Sequence, residues 1–190
     1  HLSLRRQRQM CIRDRAYSDG KAYTVGAIVI NNAVGNPLLN DGPYFLSGHL
    51  ELDKEFGGYG PSNKRYDNIL RAKRIPPSLG ITDTLNDISS NTVIGVVATD
   101  APLTRANLKR IAIMAHDGIA KSLNPAHTPM DGDTIFSIST NQDYKEQVLE
   151  NVDILALGSR ASDCVARACN RAVYEAISVG NSKPGWKSLF

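Results

Sequence analysis

Three cysteines are all that this chain contains, and none stands in a metal-like Cys-x-x-Cys pair. Cys164 and Cys169 lie five residues apart in a helix-forming stretch, so they point to different faces and are poorly placed to bridge. A reducing, cytoplasmic setting is the simplest expectation. No apolar run approaches the ~18 residues of a membrane span, and the basic start lacks the apolar core of a secretory signal. Strong charge is missing too. The formal net charge is +3, and Arg5, Arg6, Arg8, Arg13 and Arg15, set against Asp14, supply much of it. The remainder is near neutral, which argues against nucleic acid as a partner. There is no internal repeat, no low-complexity segment, no Gly-x-Ser-x-Gly, no P-loop and no dinucleotide fingerprint. His49, His116 and His127 show no metal-ligand spacing, and the Asp-x-Asp-x-Asp-Gly calcium pattern is absent.

What is present describes a globular chain. Apolar residues make up 42% and charged residues 22% of the 190, enough for one domain with a real core. Residues 1–15 have neither a helical nor a strand period and no turn chemistry. They read as a non-native leader, a translated adapter or contig end, with a genuine basic tail as the alternative, and are set outside the fold. The chain is then expected to start within a larger protein.

Residues 22–31 are β-branched and apolar and read as a buried strand. Residues 43–79 carry turn signals, with a short helix expected at 66–73. Residues 80–91 form a polar, mobile connection. Residues 92–99 read as a strand apolar on both faces, hence central in a sheet. Thr104 is an N-cap for an amphipathic helix over 105–122, with Leu108, Ile111, Ala112, Ala115, Ile119 and Ala120 as its stripe. Residues 134–140 alternate like a strand and 145–158 are ambiguous. A long helix is expected over 159–179, burying Val165, Ala168, Ala172, Val173, Ala176 and Ile177. This order suggests a layered α/β fold with helices packed on sheets.

Two places could carry chemistry. Thr92 stands where the polar run ends and the apolar strand begins. It is either an ordinary strand-starting residue or a nucleophile exposed by cutting the Asn91–Thr92 bond. The cut would give Thr92 an α-amine with an ordinary pKa of roughly 8, able to act as base for its own hydroxyl. Asp131 and Asp133 flank Gly132 and point to one side of an extended backbone. They are either a turn with a solvated strand entry or a carboxylate pair that a cation, such as the Thr92 ammonium, would neutralise. Asn31 and Asn32 end the first strand. A side-chain amide there either donates to an oxyanion or only forms a turn. His116 lies by the apolar stripe of its helix and reads as structural, while His127 stands just upstream of the aspartates.

Taken together, NTVIGVVATDAPLT (residues 91–104), PAHTPMDGDTIFSIST (125–140) and ALGSRASDCVARACNRAVYEAI (156–177), with YTVGAIVINNAVGNP (23–37) upstream, resemble the endo-type 6-aminohexanoate-oligomer hydrolases. These nylon oligomer hydrolases belong to the N-terminal-nucleophile family of L-aminopeptidase/D-esterase and β-aminopeptidases. The resemblance implies a layered αββα sandwich and an amidase acting on linear amides such as 6-aminohexanoate oligomers. It implies autocleavage at Asn91–Thr92, dividing 16–91, the end of an α-chain, from 92–190, a β-chain. It implies Thr92 as nucleophile through an acyl-enzyme, Asn32 at the oxyanion, and Asp131 and Asp133 orienting the new N-terminus. It also implies a homo-oligomer, often a tetramer, of cleaved heterodimers, with no metal or organic cofactor and no membrane partner. Alternatives are an aminopeptidase on short peptides, an inactive truncated assembly subunit and, with weaker motif support, an acyltransferase. The resemblance departs at one point: the family's active-site lysine, well upstream of the asparagine, has no counterpart, and Lys21 is too close to the strand to fill its place.

Overall fold

Alternation decides which side of each strand is covered. The computed structural model describes residues 10–18, 21–39, 42–63, 91–141, 149–177 and 184–190. Within them lie four strands, β1 (Met10–Ser18), β2 (Lys21–Asn32), β3 (Thr92–Thr99) and β4 (Thr134–Ser139), and two long helices, α1 (Arg105–Ser122) and α2 (Asn151–Tyr174). The strands form one sheet in the order β1-β2-β3-β4. The first two junctions are antiparallel. The last is parallel, as a strand–helix–strand crossover through α1 requires.

Tyr23, Val25, Ala27 and Val29 of β2 and Val93 and Val97 of β3 point inward and join the core with Ile111, Ala115 and Ile119 of α1 and Leu157, Ala161, Val165 and Ala168 of α2. Both helices therefore cover one face. The other face carries Ile28, Ile30, Ile94, Phe136 and Ile138, which are 43–56% exposed. β3 is interior to the sheet, as its double-sided apolar sequence predicts. The expectation of β2 as a buried strand holds on one face alone: among the described residues the second face of β2 and β3 is uncovered. One helical layer and one sheet of a layered α/β sandwich are thus in place. Among the described residues no helix is long and apolar enough to cross a membrane.

Two sequence expectations change. Residues 10–15, set aside as patternless, form most of β1, with Met10 opposite Val29 and Arg15 opposite Thr24. Ladder pairing runs through the backbone and needs no side-chain alternation of its own. The second helix begins at Asn151, not 159, and ends at Tyr174. Glu150 and Asp153 cap it reciprocally, each side chain accepting from the other's backbone. Ile177, expected in the buried stripe, lies past the helix end and is 70% exposed. The helix expected at 66–73 and most of the connection 80–91 lie outside the described residues.

The excursion after β2 is tied down where it leaves Asn32. Asn36 and Asn124 exchange backbone hydrogen bonds of 3.0 and 3.1 Å. Further on, the Glu51 carboxylate gathers the amides of Phe56, Gly58 and Gly60. Glu55 pairs with Arg167 of α2, and Phe45, Phe56 and Trp186 make a second small core.

Candidate active site

The ends of β2 and β3 bring two candidate residues together. Asn32 is the direct cross-strand partner of Thr92. Opposed residues of an antiparallel pair hold their Cβ atoms about 4.5–5.5 Å apart. Both are half-buried, and both have the parity of the open sheet face that carries Ile30 and Ile94. The neighbouring asparagine has a different part. Asn31 faces inward, is 2% exposed, accepts from the Ala33 amide and donates to the Cys169 carbonyl. Asn31 therefore braces the turn, while Asn32 stands opposite Thr92.

The scissile bond of the sequence reading is held from both sides. Thr92 Oγ1 donates a short hydrogen bond to the Asn91 carbonyl. The Gly132 amide donates to the same oxygen at 3.1 Å. An amide aimed at a carbonyl oxygen stabilises the charge that gathers there when the carbon is attacked. Sequence reasoning missed this donor, because it is main chain and Asp-Gly-Asp reads as turn chemistry. A Cβ on Gly132 would stand 3.0 Å from Thr92 Oγ1 and crowd the hydroxyl.

Asp131 and Asp133, paired by spacing in the sequence, each serve a different backbone segment. Asp133 Oδ1 accepts from the Val93 amide at 2.8 Å, one residue past Thr92. Its Oδ2 lies 2.7 Å from His127 Nδ1. Asp131 Oδ1 accepts from the Val34 amide at 3.1 Å, two residues past Asn32. Its Oδ2 takes the Thr128 amide and hydroxyl. One aspartate thus fixes the nucleophile candidate's strand and the other fixes the turn after Asn32. His127 is stacked on His116 of α1, the rings 4.3 Å apart and 18° from parallel, and His116 Nε2 lies 3.3 Å from the Asp133 carbonyl oxygen. Beneath them, burial pushes the Cys169 thiol up to about 12; a hydrogen bond from Ser122 opposes this, and the Asp133 charge adds to it. Among the described residues no group of three or more His, Cys, Asp or Glu side chains is placed to hold a metal ion.

Known proteins resemble this chain in sequence and in fold. An uncharacterized aminopeptidase of Mycobacterium tuberculosis is 35% identical over 175 residues, covering 88% of this chain and 48% of that protein. The chain spans about half the length of such curated relatives. A 6-aminohexanoate-oligomer endohydrolase of Paenarthrobacter ureafaciens is 30% identical over 71 residues, which is 37% of this chain and 18% of that one. Among solved structures, the L-aminopeptidase D-Ala-esterase/amidase of Ochrobactrum anthropi, a variant of the Ntn-hydrolase fold, superimposes with a TM-score of 0.52 at 22% identity, over 92% of this chain and 42% of that one. The fold is therefore of the Ntn-hydrolase type. The family model of peptidase family S58 matches residues 13–184, and the chain belongs to that family.

Proposed function

We propose that the chain carries the self-processing centre of an amide-bond hydrolase with Thr92 as nucleophile. The observation that carries this reading is the grip on Asn91: its carbonyl oxygen is held by Thr92 Oγ1 and the Gly132 amide, at the point where β3 begins opposite Asn32. In processing, Thr92 Oγ attacks the Asn91 carbonyl carbon and the amide nitrogen leaves as the Thr92 α-amine. The resulting ester takes up water, which returns the hydroxyl and leaves Asn91 with a new carboxylate. The freed amine then serves as base for Oγ in turnover. A substrate carbonyl is attacked by Thr92, Asn32 donates to its oxyanion across the ladder, the amine component leaves, and water releases the acid.

The substrate is a linear amide. A short peptide is supported by the aminopeptidase relatives, which match most of the chain. A 6-aminohexanoate oligomer is supported by the endohydrolases, which match 37% of it. Paired assays on amino-acid p-nitroanilides and on aminohexanoate oligomers separate the two. The processing step is tested on a denaturing gel with N-terminal sequencing. The unaltered chain is expected to yield fragments of 91 and 99 residues, the second starting at Thr92. Thr92→Ala is expected to remain one band. A single uncut band from both proteins sinks the nucleophile reading and favours an assembly subunit without activity.

A further inference from the structure

We infer that His127 is a positioning residue for the nucleophile, acting through Asp133 on the backbone of β3. Three observations converge on it. The Asp133 carboxylate is nearly closed off, its side chain 4% exposed, and its two oxygens point to two partners: the Val93 amide and His127 Nδ1. A carboxylate oxygen only accepts, so His127 carries its proton on Nδ1. The ring is clamped by His116, whose Nε2 faces the Asp133 carbonyl oxygen and so is also the protonated nitrogen. Finally, His127 has a φ of 54°, in the left-handed region that few non-glycine residues occupy. That unfavourable backbone and the Nδ1–Asp133 contact occur in the same residue.

The consequence runs in one direction. His127 fixes how Asp133 is turned, and Asp133 fixes the Val93 amide. That amide is the other end of the peptide unit that starts at the Thr92 carbonyl. A carboxylate released from His127 can rotate or take water at Oδ2, and its grip on Val93 loosens. Thr92 Oγ1 then loses its fixed line to the Asn91 carbon. This deepens the nucleophile reading above and rests on it for its kinetic consequence.

Two substitutions separate the Nδ1 proton from the backbone bend. Glycine and asparagine both tolerate the left-handed conformation. His127→Asn places an amide donor about where Nδ1 stood, whereas His127→Gly supplies none. The first measurement uses Thr92→Ala as background, so that no cutting is needed, and follows the Val93 amide by NMR. With His127→Gly its proton is expected to move upfield and to exchange faster with solvent; with His127→Asn it is expected to stay near its original position. Equal behaviour of the two variants, whether both move or neither does, overturns the inference. The second measurement is the rate of Asn91–Thr92 scission with Thr92 present. His127→Gly is expected to slow it by up to about 10²-fold, the size that misplacing a reacting group by about an ångström can reach, and His127→Asn to restore most of the rate. An unaltered chain that is never cut removes the nucleophile reading, while the Val93 contrast still decides the positioning role.

Discussion

Asp133→Ala is expected to leave the Asn91–Thr92 bond essentially uncut over the time in which the proposed processing cuts the unaltered chain, and to lower stability as well. The side chain removed is the acceptor for the Val93 amide, and Val93 is 0% exposed, so water does not readily replace it. An unsatisfied buried amide costs about 1–3 kcal/mol. His127 loses its partner at the same time. Asp133→Asn separates the two consequences. Its carbonyl oxygen can still accept from Val93, and His127 can shift its proton to Nε2 and accept the new amide at Nδ1. Stability is therefore expected to return to near that of the unaltered chain. Scission is expected to recover only in part, because a neutral amide oxygen grips the Val93 amide more weakly than a carboxylate does. Urea unfolding measures the first effect and a timed gel the second. Full-rate scission in Asp133→Ala would show that the backbone grip on Val93 has no part in aligning Thr92.

This site was half legible in the sequence, and the division follows from what sequence periodicity can encode. The strand at 92–99 was read with its bounds because a β-branched run stops at Pro102. The helix at 105–122 was read with its bounds because Thr104 is a strong cap, and its hydroxyl does accept from the Asn107 amide. The start of α2 was missed because its cap is an acidic pair, Glu150 and Asp153, and because Gly158 interrupts the pattern. Thr92, Asn32, Asp131 and Asp133 stood out as residue types. Their juxtaposition depends on strand register, which no local pattern specifies: Asn32 meets Thr92 only once β2 and β3 pair. The Gly132 amide and the turn of the His127 ring belong to backbone geometry and leave no mark on composition. What the Asp-Gly-Asp spacing did announce was two carboxylates close in the chain, and both reach backbone amides beside the opposed pair.

The second large effect is expected far from the reacting bond. Gly118→Ala lowers stability by at least about 2 kcal/mol, or roughly 4–8 °C in melting temperature for a chain of this size. Helix propensity alone predicts the opposite, since alanine is favoured over glycine by about 1 kcal/mol inside a helix. Contact decides the sign. A Cβ on Gly118 would stand 2.3 Å from the Ser162 carbonyl oxygen, 2.8 Å from Val165 Cβ and 3.0 Å from the Ala166 nitrogen. These include backbone atoms of α2, which cannot rotate aside, so the helices must part. Parting them loosens Ile111, Ala115, Leu157, Ala161 and Val165, none more than 1% exposed. Gly158→Ala is the matched control on the facing helix. There the new Cβ would meet Met114 Sδ at 2.2 Å and Cε at 2.5 Å, the end of a flexible side chain that can swing away, and Met114 Cβ at 3.1 Å, which asks for a shift of only a few tenths of an ångström. That substitution is expected to be close to neutral, its small strain offset by propensity. The pair also bears on function. His116 sits two residues before Gly118 on α1 and stacks on His127. Helices pushed apart at Gly118 draw His116 off that ring, so Gly118→Ala slows scission even at temperatures where the chain is fully folded, while Gly158→Ala leaves the rate alone. Equal melting losses for the two variants would mean that the backbone contact at Gly118 does not set the helix spacing.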